Sequence, residues 1–390
     1  VFPFGVSRTG TSFSHNLAAT CLLNFDKDQL KASLVKRTDV FVFEEIGLLS
    51  AEMFSAVDNV LRLLTGNTRP MGGKLLLVCG DSKQLPPIEG RPIWGSLNMC
   101  TMMEVFVFSC DVRARDDSVL QSLNSDCRRE LSTDECKRVA DTVLRECRFV
   151  NDWSAVPDVA VRVVPTKAAE AKAMEEFLRG RATKSYTAID EVQNGSQWER
   201  ANERVTARLN KSCYEYDVCK LYVNAVVRMT YNRRQDGVTI FSQGQVAVVV
   251  ALPEDGVDFN DQRLTLKLAP PGSRQIDPDN MGDDWREILV GPRTGLPVPV
   301  GSSLQLGRRR QLPVRYFLAS TLHRCQGHTV PLLATEMSLS RKEYKMWQRE
   351  QFAVLISRVH RCQDLIFVGD KQETGAAIEH ILRQSSKWDA

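Results

Sequence analysis

Short, continuous apolar runs recur along the chain, and each one ends in polar or charged residues. Runs of this length, rich in Val, Leu and Phe, are typical of strands that are buried on both faces of a parallel sheet. We therefore predict buried strands at these positions. The runs lie at 40–43, 75–79, 161–164, 316–319, 353–356 and 365–368.

Helical patterns lie between several of these runs. Ser50 is suited to cap a helix N-terminus, and apolar residues follow it at helical spacing. Strands that alternate with helices predict an α/β fold. The apolar positions of this helix are Met53, Val57, Val60, Leu61 and Leu64.

The stretch 226–310 has a different pattern. It contains short alternating runs, many prolines and an acidic, loop-like segment at 255–284, which together predict a small all-β insert. The α/β pattern resumes at Leu312. This organisation predicts a first domain at 1–110, a second domain at 111–225 and 311–390, and the insert at 226–310 within the second domain.

Composition and charge narrow the class of protein. The 390 residues are 43% hydrophobic and 25% charged, and 51 basic against 48 acidic residues give a net charge of +3. These values exclude a disordered chain, a collagen-like chain and a strongly basic DNA coat. No apolar run approaches the roughly 20 residues that a membrane helix needs, so no membrane partner is expected.

The eleven cysteines contain no Cys-x-x-Cys pair, and the histidines are too scattered to suggest a metal cage. Cysteines that lie in apolar runs, such as Cys79, are expected in the core. Unpaired cysteines of this kind indicate a reducing compartment. We expect the nucleus or the cytoplasm, with the mitochondrion as an alternative.

Two adjacent carboxylates, Glu44 and Glu45, directly follow the run at 40–43. Acidic residues at this point lie at the carboxyl edge of a sheet, where open α/β sheets bind ligands. In nucleotide hydrolases the first acid holds Mg²⁺, usually through water, and the second polarises the attacking water. Glu44 is therefore the candidate metal ligand. The simple alternative is a strand end with solvated charges.

A second polar segment, 80–87, directly follows the run at 75–79. Gly80 permits a sharp turn, Gln84 offers an amide donor, and the two prolines at 86–87 stiffen the exit. A plain turn is the simple alternative. The stretch 41–88 resembles motifs II and III of the petite-integration-frequency (Pif-like) DNA helicases, which are superfamily-one enzymes related to RecD.

Further segments resemble the motifs of this family in the correct order. Residues 112–116 resemble motif IV, 321–329 resemble motif V, and 351–359 resemble motif VI. The resemblance extends over most of the chain. It implies tandem RecA-like P-loop NTPase domains, with parallel sheets flanked by helices and a small β-barrel insert in the second domain.

The resemblance also implies a role for each matched side chain. Arg113 would contact the γ-phosphate of ATP, and Arg358 would act as an arginine finger, which typically contributes a factor of about 10³–10⁵ to the rate. Gln84 would sense the γ-phosphate and couple hydrolysis to movement. The simple alternatives are an exposed surface arginine for Arg113 and a satisfied core histidine for His323. The implied nucleic-acid contacts of motif V are His323, Arg324, Gln326, Gly327 and Thr329, and the motif III turn contains Gly80, Asp81, Pro86 and Pro87.

The chain lacks one motif that such a motor needs, the phosphate-binding loop Gly-x-x-x-x-Gly-Lys-[Ser/Thr]. The segment 5–12 has the glycine spacing but carries Thr11 in place of lysine. The segment 10–15 fits the family's DNA-contacting motif Ia instead, and a degenerate phosphate loop at 5–12 is the alternative. We expect the phosphate loop to lie upstream of Val1, and we expect this chain alone to hydrolyse no ATP. The implied DNA contacts of motif Ia are Gly10, Thr11, Ser12 and His15.

Two smaller departures from the family pattern affect the same chemistry. Glu44 stands where the family has aspartate, and its extra methylene moves the carboxylate outward. Ala114 stands where the family has glutamine, so one donor on the γ-phosphate side is missing. Together these changes favour a decayed copy of the kind that mobile elements leave behind.

The function implied by the resemblance is an ATP- and Mg²⁺-dependent DNA helicase that moves 5′ to 3′ on single-stranded and forked DNA as a monomer, in repair, recombination and telomere maintenance. One alternative is a nucleic-acid-binding remnant of a mobile-element or viral helicase without ATPase activity. Another is a related helicase that acts on RNA. The basic runs at 233–234 and 308–310 are candidates for a nucleic-acid path, although such runs are usually solvated faces.

Overall fold

The computed structural model divides the chain into two compact units. Unit 1 comprises Val1–Asp152, Val163–Ala169 and Thr321–Ala390, and unit 2 comprises Trp153–Arg162 and Glu170–Ser320. Among the described residues, no helix has the length and apolar character needed to cross a membrane. The structure describes residues 18, 22, 29–88, 90–96, 101, 103–108, 111–213, 215–236, 238–270, 273, 276, 278–300 and 305–385.

The helices are α1 (Gln29–Arg37), α2 (Ala51–Thr65), α3 (Ser118–Asp126), α4 (Thr133–Glu146), α5 (Lys167–Leu178), α6 (Glu203–Ser212), α7 (Leu322–Cys325), α8 (Arg349–Ile356) and α9 (Lys371–Leu382). The strands up to residue 251 are β1 (Val40–Phe43), β2 (Leu75–Val78), β3 (Arg148–Val150), β4 (Val161–Val164), β5 (Lys184–Thr187), β6 (Ile189–Asn194), β7 (Gln197–Arg200), β8 (Val218–Leu221), β9 (Val226–Met229), β10 (Arg233–Gln235), β11 (Val238–Phe241) and β12 (Val246–Ala251). The later strands are β13 (Leu264–Leu268), β14 (Arg286–Val290), β15 (Arg293–Thr294), β16 (Val298–Pro299), β17 (Leu306–Gln311), β18 (Val314–Tyr316), β19 (Ala319–Thr321), β20 (Leu333–Glu336) and β21 (Leu365–Val368).

In unit 1, β1 and β2 pair in parallel, with Val40 opposite Leu75. The predicted helix after Ser50 is confirmed as α2, whose first turn is capped because the Ser50 side chain accepts a hydrogen bond from the Met53 amide at 3.2 Å. The buried face of α2 packs in one cluster with the buried side of the strand pair. The members of this cluster include Phe41, Phe54, Val57, Val60 and Leu61.

The opposite face of the β1–β2 pair is exposed, so the prediction that these two strands are buried on both faces is wrong. Val40, Val42, Leu75 and Leu77 are 45–60% exposed. Cys79, expected in the core, is exposed as well. A continuous apolar run shows that both faces of a strand are apolar, but it does not show that the chain covers both.

A five-stranded sheet has the order β19-β4-β20-β21-β3. Its strands β20, β21 and β3 are parallel, and β4 and β21 are buried along their whole length. The predicted strands at 161–164 and 365–368 are therefore confirmed. On one side α9 approaches α4 closely, since a methyl group at Gly375 would lie 2.9 Å from Leu144 Cδ1.

Two other predicted strands are wrong. The run 353–356 forms the last turn of α8, in which every residue is buried. The run 316–319 is divided between the end of β18 and the start of β19. A run of four apolar residues does not distinguish a buried strand from a buried helix, because both hide their side chains.

Unit 2 is rich in antiparallel strands. One sheet has the order β14-β13-β12-β9-β18, and another has the order β15-β17-β6-β7, with β16 paired to β17. Two further pairs are β5 with β8 and the hairpin of β10 and β11. The antiparallel strands include β6, β7 and β18, which lie outside 226–310, and the predicted domain boundaries stay a prediction.

Candidate functional site

The two carboxylates occupy the exit of β1 in unit 1. The exits of β1 and β2 are tied together, because the Cys79 amide donates to the Phe43 carbonyl at 2.8 Å and the Ile46 amide donates to the Cys79 carbonyl at 2.9 Å. Glu45 has a left-handed backbone conformation with φ 52°. A non-glycine residue in this region is strained by roughly 1–3 kcal/mol, and such residues cluster at functional sites. Glu44 is exposed and Glu45 is half-buried.

The segment 80–87 is a packed turn organised by Asp81. Its carboxylate accepts hydrogen bonds from the Lys83 amide at 2.9 Å and from Gln84 Nε2 at 3.1 Å, and it forms an ion pair with Arg128 at 2.8 Å. We predicted that Gly80 permits a sharp turn, but the structure shows a steric reason for glycine at this position. A methyl group at this position would lie 2.7 Å from Ile46 Cγ2, so only glycine lets the two strand exits approach each other. The predicted prolines close the turn, with Pro86 buried and Pro87 half-buried.

The segment 321–329 reaches the β1 exit from the far end of the sequence. Gln326 is buried, and its Nε2 donates to Glu45 Oε2 at 2.9 Å across a separation of 281 residues. Gly327 follows with φ 81°, and a methyl group there would lie 3.2 Å from Glu45 Oε1. These two residues therefore fix and accommodate the second carboxylate.

Arg113 joins three of the predicted segments. Its Nε donates to Thr329 Oγ1 at 3.0 Å, and its Nη1 donates to the Ser357 carbonyl at 2.5 Å. Its own carbonyl lies 3.0 Å from His360 Nδ1. The simple alternative of an exposed surface arginine is wrong, because Arg113 is half-buried and held by these contacts.

Arg358 lies two residues after the end of α8, with only 1% of its surface exposed. Its guanidinium donates to the Val354 carbonyl at 3.0 Å, to Ser357 Oγ at 2.8 Å and to the His328 carbonyl at 3.3 Å. Burial, with the like charge of Arg113, lowers the pKa of Arg358 to about 10. The nearby carboxylates of Glu45 and Asp81 act in the opposite direction.

The structure thus brings most of the predicted residues of unit 1 into one region, and their roles stay predictions. His323 and Arg324 are half-buried on α7. The four predicted contacts of motif Ia, Gly10, Thr11, Ser12 and His15, lie outside the described residues.

Sequence reasoning missed the side chains that support the site. Asp111 accepts hydrogen bonds from the Ala114 amide at 3.2 Å and from Asn124 Nδ2 at 2.7 Å, and so holds the chain beside Arg113. Arg128 fixes Asp81, and Ser357 accepts from both arginines. Of these supporting residues, only Ser357 could be identified from the sequence, because it immediately precedes Arg358 in the predicted motif.

The donor set at the strand exits fits Mg²⁺ bound together with a nucleotide. Among the described residues, no group of three or more His, Cys, Asp or Glu side chains is placed to hold a metal ion. Mg²⁺ usually keeps several waters and takes only one or two carboxylates together with phosphate oxygens. Glu44 and Glu45 provide two carboxylates in adjacent positions.

Known proteins resemble this chain in sequence. A family model described as PIF1-like helicase matches residues 6–102. The protein named ATP-dependent DNA helicase Pif1 from Psychrobacter sp. (strain PRwf-1) is 31% identical over 405 residues, which cover 93% of this chain and 58% of that protein.

Solved structures show the same fold. The crystal structure of Pif1 helicase from Candida albicans has a TM-score of 0.67 and 16% identity, and covers 97% of this chain and 82% of that chain. Pif1 helicase from Bacteroides in complex with ADP-AlF3 and ssDNA has a TM-score of 0.62 and 17% identity, and covers 95% of this chain and 76% of that chain. The likeness confirms the tandem RecA-like fold. The chain spans about half the length of the curated relatives it matches. It belongs to the PIF1-like helicase family.

Proposed function

We propose that this chain is the motor region of an ATP-dependent DNA helicase that moves along single-stranded DNA in the 5′ to 3′ direction. The supporting observation is that distant segments converge in one compact unit. Glu45 contacts Gln326, and Arg113 contacts both Thr329 and the backbone beside Arg358. Carboxylates, an amide and two arginines in one region are the groups that phosphoryl transfer uses.

The two carboxylates would have different roles in hydrolysis. Glu44 would hold Mg²⁺ through water, and the ion, when bound, would neutralise charge on the phosphates. Glu45 would orient the attacking water. Its Oε2 is already held by Gln326, and the absence of a side chain at Gly327 leaves space beside Oε1 for a hydrogen bond to that water.

Gln326 would connect DNA binding to hydrolysis. It lies between Arg324 and Thr329, whose side chains would donate to phosphate oxygens of single-stranded DNA. A shift of this segment on DNA binding would move the donor that fixes Glu45. DNA would then stimulate hydrolysis through one hydrogen bond of 2.9 Å.

Arg113 and Arg358 would stabilise the charge that develops on the transferred phosphoryl group. Both guanidinium groups donate to acceptors within the chain. We propose that Arg358 exchanges the His328 carbonyl and the Ser357 hydroxyl for phosphate oxygens when a nucleotide binds. Such an exchange would give the arginine finger an off state and an on state.

The proposed ligands are ATP with Mg²⁺, single-stranded DNA and forked DNA. The Bacteroides relative in complex with ADP-AlF3 and ssDNA supports the first two classes of ligand. We further propose that the protein acts as a monomer in a reducing compartment, the nucleus or the cytoplasm. Cys127, Cys136 and Cys219 are buried free thiols, which is consistent with that setting.

A second candidate is a nucleic-acid-binding remnant without ATPase activity. The specific observation that favours it is Ala114, which is fully buried and has no side-chain donor at the position where the family has glutamine. In both candidates this chain alone is inactive as an ATPase.

Two measurements on the purified chain test these proposals. Fluorescence anisotropy with labelled single-stranded DNA, forked DNA and single-stranded RNA should show binding to DNA, whereas a chain that binds none of the probes contradicts both candidates. A clear preference for RNA would replace DNA as the substrate. ATP hydrolysis with single-stranded DNA should be absent. Turnover that disappears in Glu45→Gln would show that this chain is a complete ATPase.

The same hydrolysis assay on the product of the whole gene separates the two candidates. DNA-stimulated turnover that Glu45→Gln abolishes is expected of the helicase. DNA binding without turnover would instead establish the remnant.

A further inference from the structure

The hairpin of β10 and β11 in unit 2 displays basic residues to solvent. Arg233, Arg234 and Gln235 of β10 are all exposed. The strands pair antiparallel, and the turn between them includes Asp236 in a left-handed conformation with φ 51°. The hairpin thus holds two adjacent arginines on a short, two-stranded support.

Two more arginines converge on the base of this hairpin. Tyr231 packs edge-on against Phe241 with ring centroids 4.9 Å apart, and the Arg293 guanidinium lies 4.1 Å from the centre of the Tyr231 ring. Arg286 donates a hydrogen bond to the Ile240 carbonyl. We call Arg233, Arg234, Arg286 and Arg293 the hairpin patch.

The positive charge of the hairpin patch is not compensated within the described part of the chain. None of its four arginines forms an ion pair there, and all four are exposed. The acidic residues within two positions of these arginines, Asp236, Asp284 and Glu287, are also exposed and form no ion pair with them. The patch therefore presents several guanidinium donors to solvent.

The other arginine run, 308–310, provides an internal comparison. Arg308 pairs with Glu191 at 2.7 Å and lies over the Trp198 ring at 4.0 Å. Arg309 is buried and pairs with Asp190 at 2.7 Å, and Arg310 donates to Thr294 and Asn260. These three arginines are part of the framework of their sheet. The two runs look alike in sequence, but only the hairpin patch is available to a ligand.

The guanidinium groups of the hairpin patch indicate which class of ligand it binds. A guanidinium group presents planar donors that match phosphate oxygens, and stacking on an aromatic ring fixes its plane before a ligand arrives. All four arginines are exposed, two on the hairpin and two beside its base, which suits an extended polyanion better than a free nucleotide. We propose that the hairpin patch binds the phosphodiester backbone of nucleic acid, at a site separate from the segment 321–329. The choice of nucleic acid among polyanions rests on the proposed function.

The salt dependence of binding tests this site directly. Each phosphate contact contributes about 0.7 to the slope of log K against log salt concentration on single strands, and about 0.9 on duplexes. We expect Arg233→Ala/Arg234→Ala to reduce the slope by one to two such contacts and to weaken binding equally for unrelated sequences. Anisotropy with single-stranded DNA, duplex DNA and single-stranded RNA identifies which backbone occupies the patch.

The matched control is Arg179→Ala/Arg204→Ala, which removes two other exposed arginines of unit 2 and the same net charge. The control should leave the slope close to that of the wild-type chain. If the wild-type chain binds but Arg233→Ala/Arg234→Ala and the control variant have equal slopes on all three probes, the hairpin patch is not a binding site. No binding by the wild-type chain would instead overturn the proposed function. Arg286→Ala/Arg293→Ala provides a second test of the patch, and it should reduce the slope in the same direction.

Discussion

At the scale of single residues, the buried guanidinium of Arg358 lowers the stability of the fold. Its guanidinium is buried without an ion pair in the described part of the chain, and burial lowers its pKa to about 10. Hydrogen bonds to carbonyl and hydroxyl acceptors offset only part of the cost of removing the charge from water. A residue that serves stability alone would more commonly be apolar here, which is consistent with the proposed role of Arg358 as an arginine finger.

The first prediction separates these roles. Arg358→Ala should lower the free energy of unfolding by about 1–3 kcal/mol, because it leaves a cavity and unpaired acceptors. Arg358→Met leaves the same acceptors unpaired, but it fills the space and removes the buried charge, so it should stay within about 1 kcal/mol of the wild-type chain. Denaturant unfolding monitored by circular dichroism measures both, with the exposed Arg115→Ala as a control. If the methionine variant is as unstable as the alanine variant, the guanidinium is structural.

Gly80 is the second residue whose identity the packing dictates. In Gly80→Ala the new methyl group would meet Ile46 Cγ2 at 2.7 Å, and the exits of β1 and β2 would have to separate. We expect a loss of about 1–3 kcal/mol in the free energy of unfolding. Gly95→Ala is the matched control, since a methyl group there has no neighbour within 4 Å. Similar stability of the two variants in thermal unfolding would contradict the steric role.

At the scale of elements, local signals in the sequence predicted structure well where they act within a few residues. The N-cap at Ser50 and the apolar spacing after it gave α2 correctly. The run 353–356 failed because burial of α8 on all sides removes the polar face by which a helix is recognised. Glu44 and Glu45 were predicted as a site, but the bond from Gln326 spans 281 residues and depends on how the chain folds back. No local pattern encodes that contact.

The first turn of α4 gives a prediction of pH dependence. Ser132 and Glu135 form a capping box, in which the Ser132 amide donates to the Glu135 carboxylate at 2.8 Å. That hydrogen bond, with the neighbouring Arg129, lowers the pKa of Glu135 to about 2 from the ordinary 4.5. Because the folded pKa is the lower one, the stabilisation is complete above pH 4.5 and is lost as the pH falls toward 2.

Glu135→Gln keeps the capping geometry and removes the charge, so it isolates this contribution. The melting temperature of the variant should lie below that of the wild-type chain at neutral pH, and the gap should narrow as the pH falls below 4.5. Glu130→Gln, an exposed change just before the helix, is the control and should show no such convergence. A gap that is constant with pH would show that the charge of Glu135 does not stabilise the helix.

At the scale of the whole molecule, charge and apolar surface are distributed unevenly. The net charge of +3 conceals a hairpin patch without ion pairs and a second arginine run that is neutralised internally. The apolar surface is equally local. Apart from the open face of β1 and β2, the segment 105–108 has side chains that are 74–94% exposed. Clusters of exposed apolar residues on a folded chain mark surfaces that bind other apolar groups.

The open face of β1 and β2 should therefore bind an apolar fluorescent dye in the native state. Val42→Thr/Leu77→Thr should reduce the dye signal with little effect on stability, because both side chains are more than half exposed and threonine is favourable in strands. Val57→Thr, on the buried face of α2, is the control for a buried position. It should lower the melting temperature and raise dye binding through partial unfolding. A native chain that binds no dye would mean that the face is covered in solution. In that case the continuous apolar runs at 40–43 and 75–79 would indicate two buried faces, as the sequence pattern alone predicts.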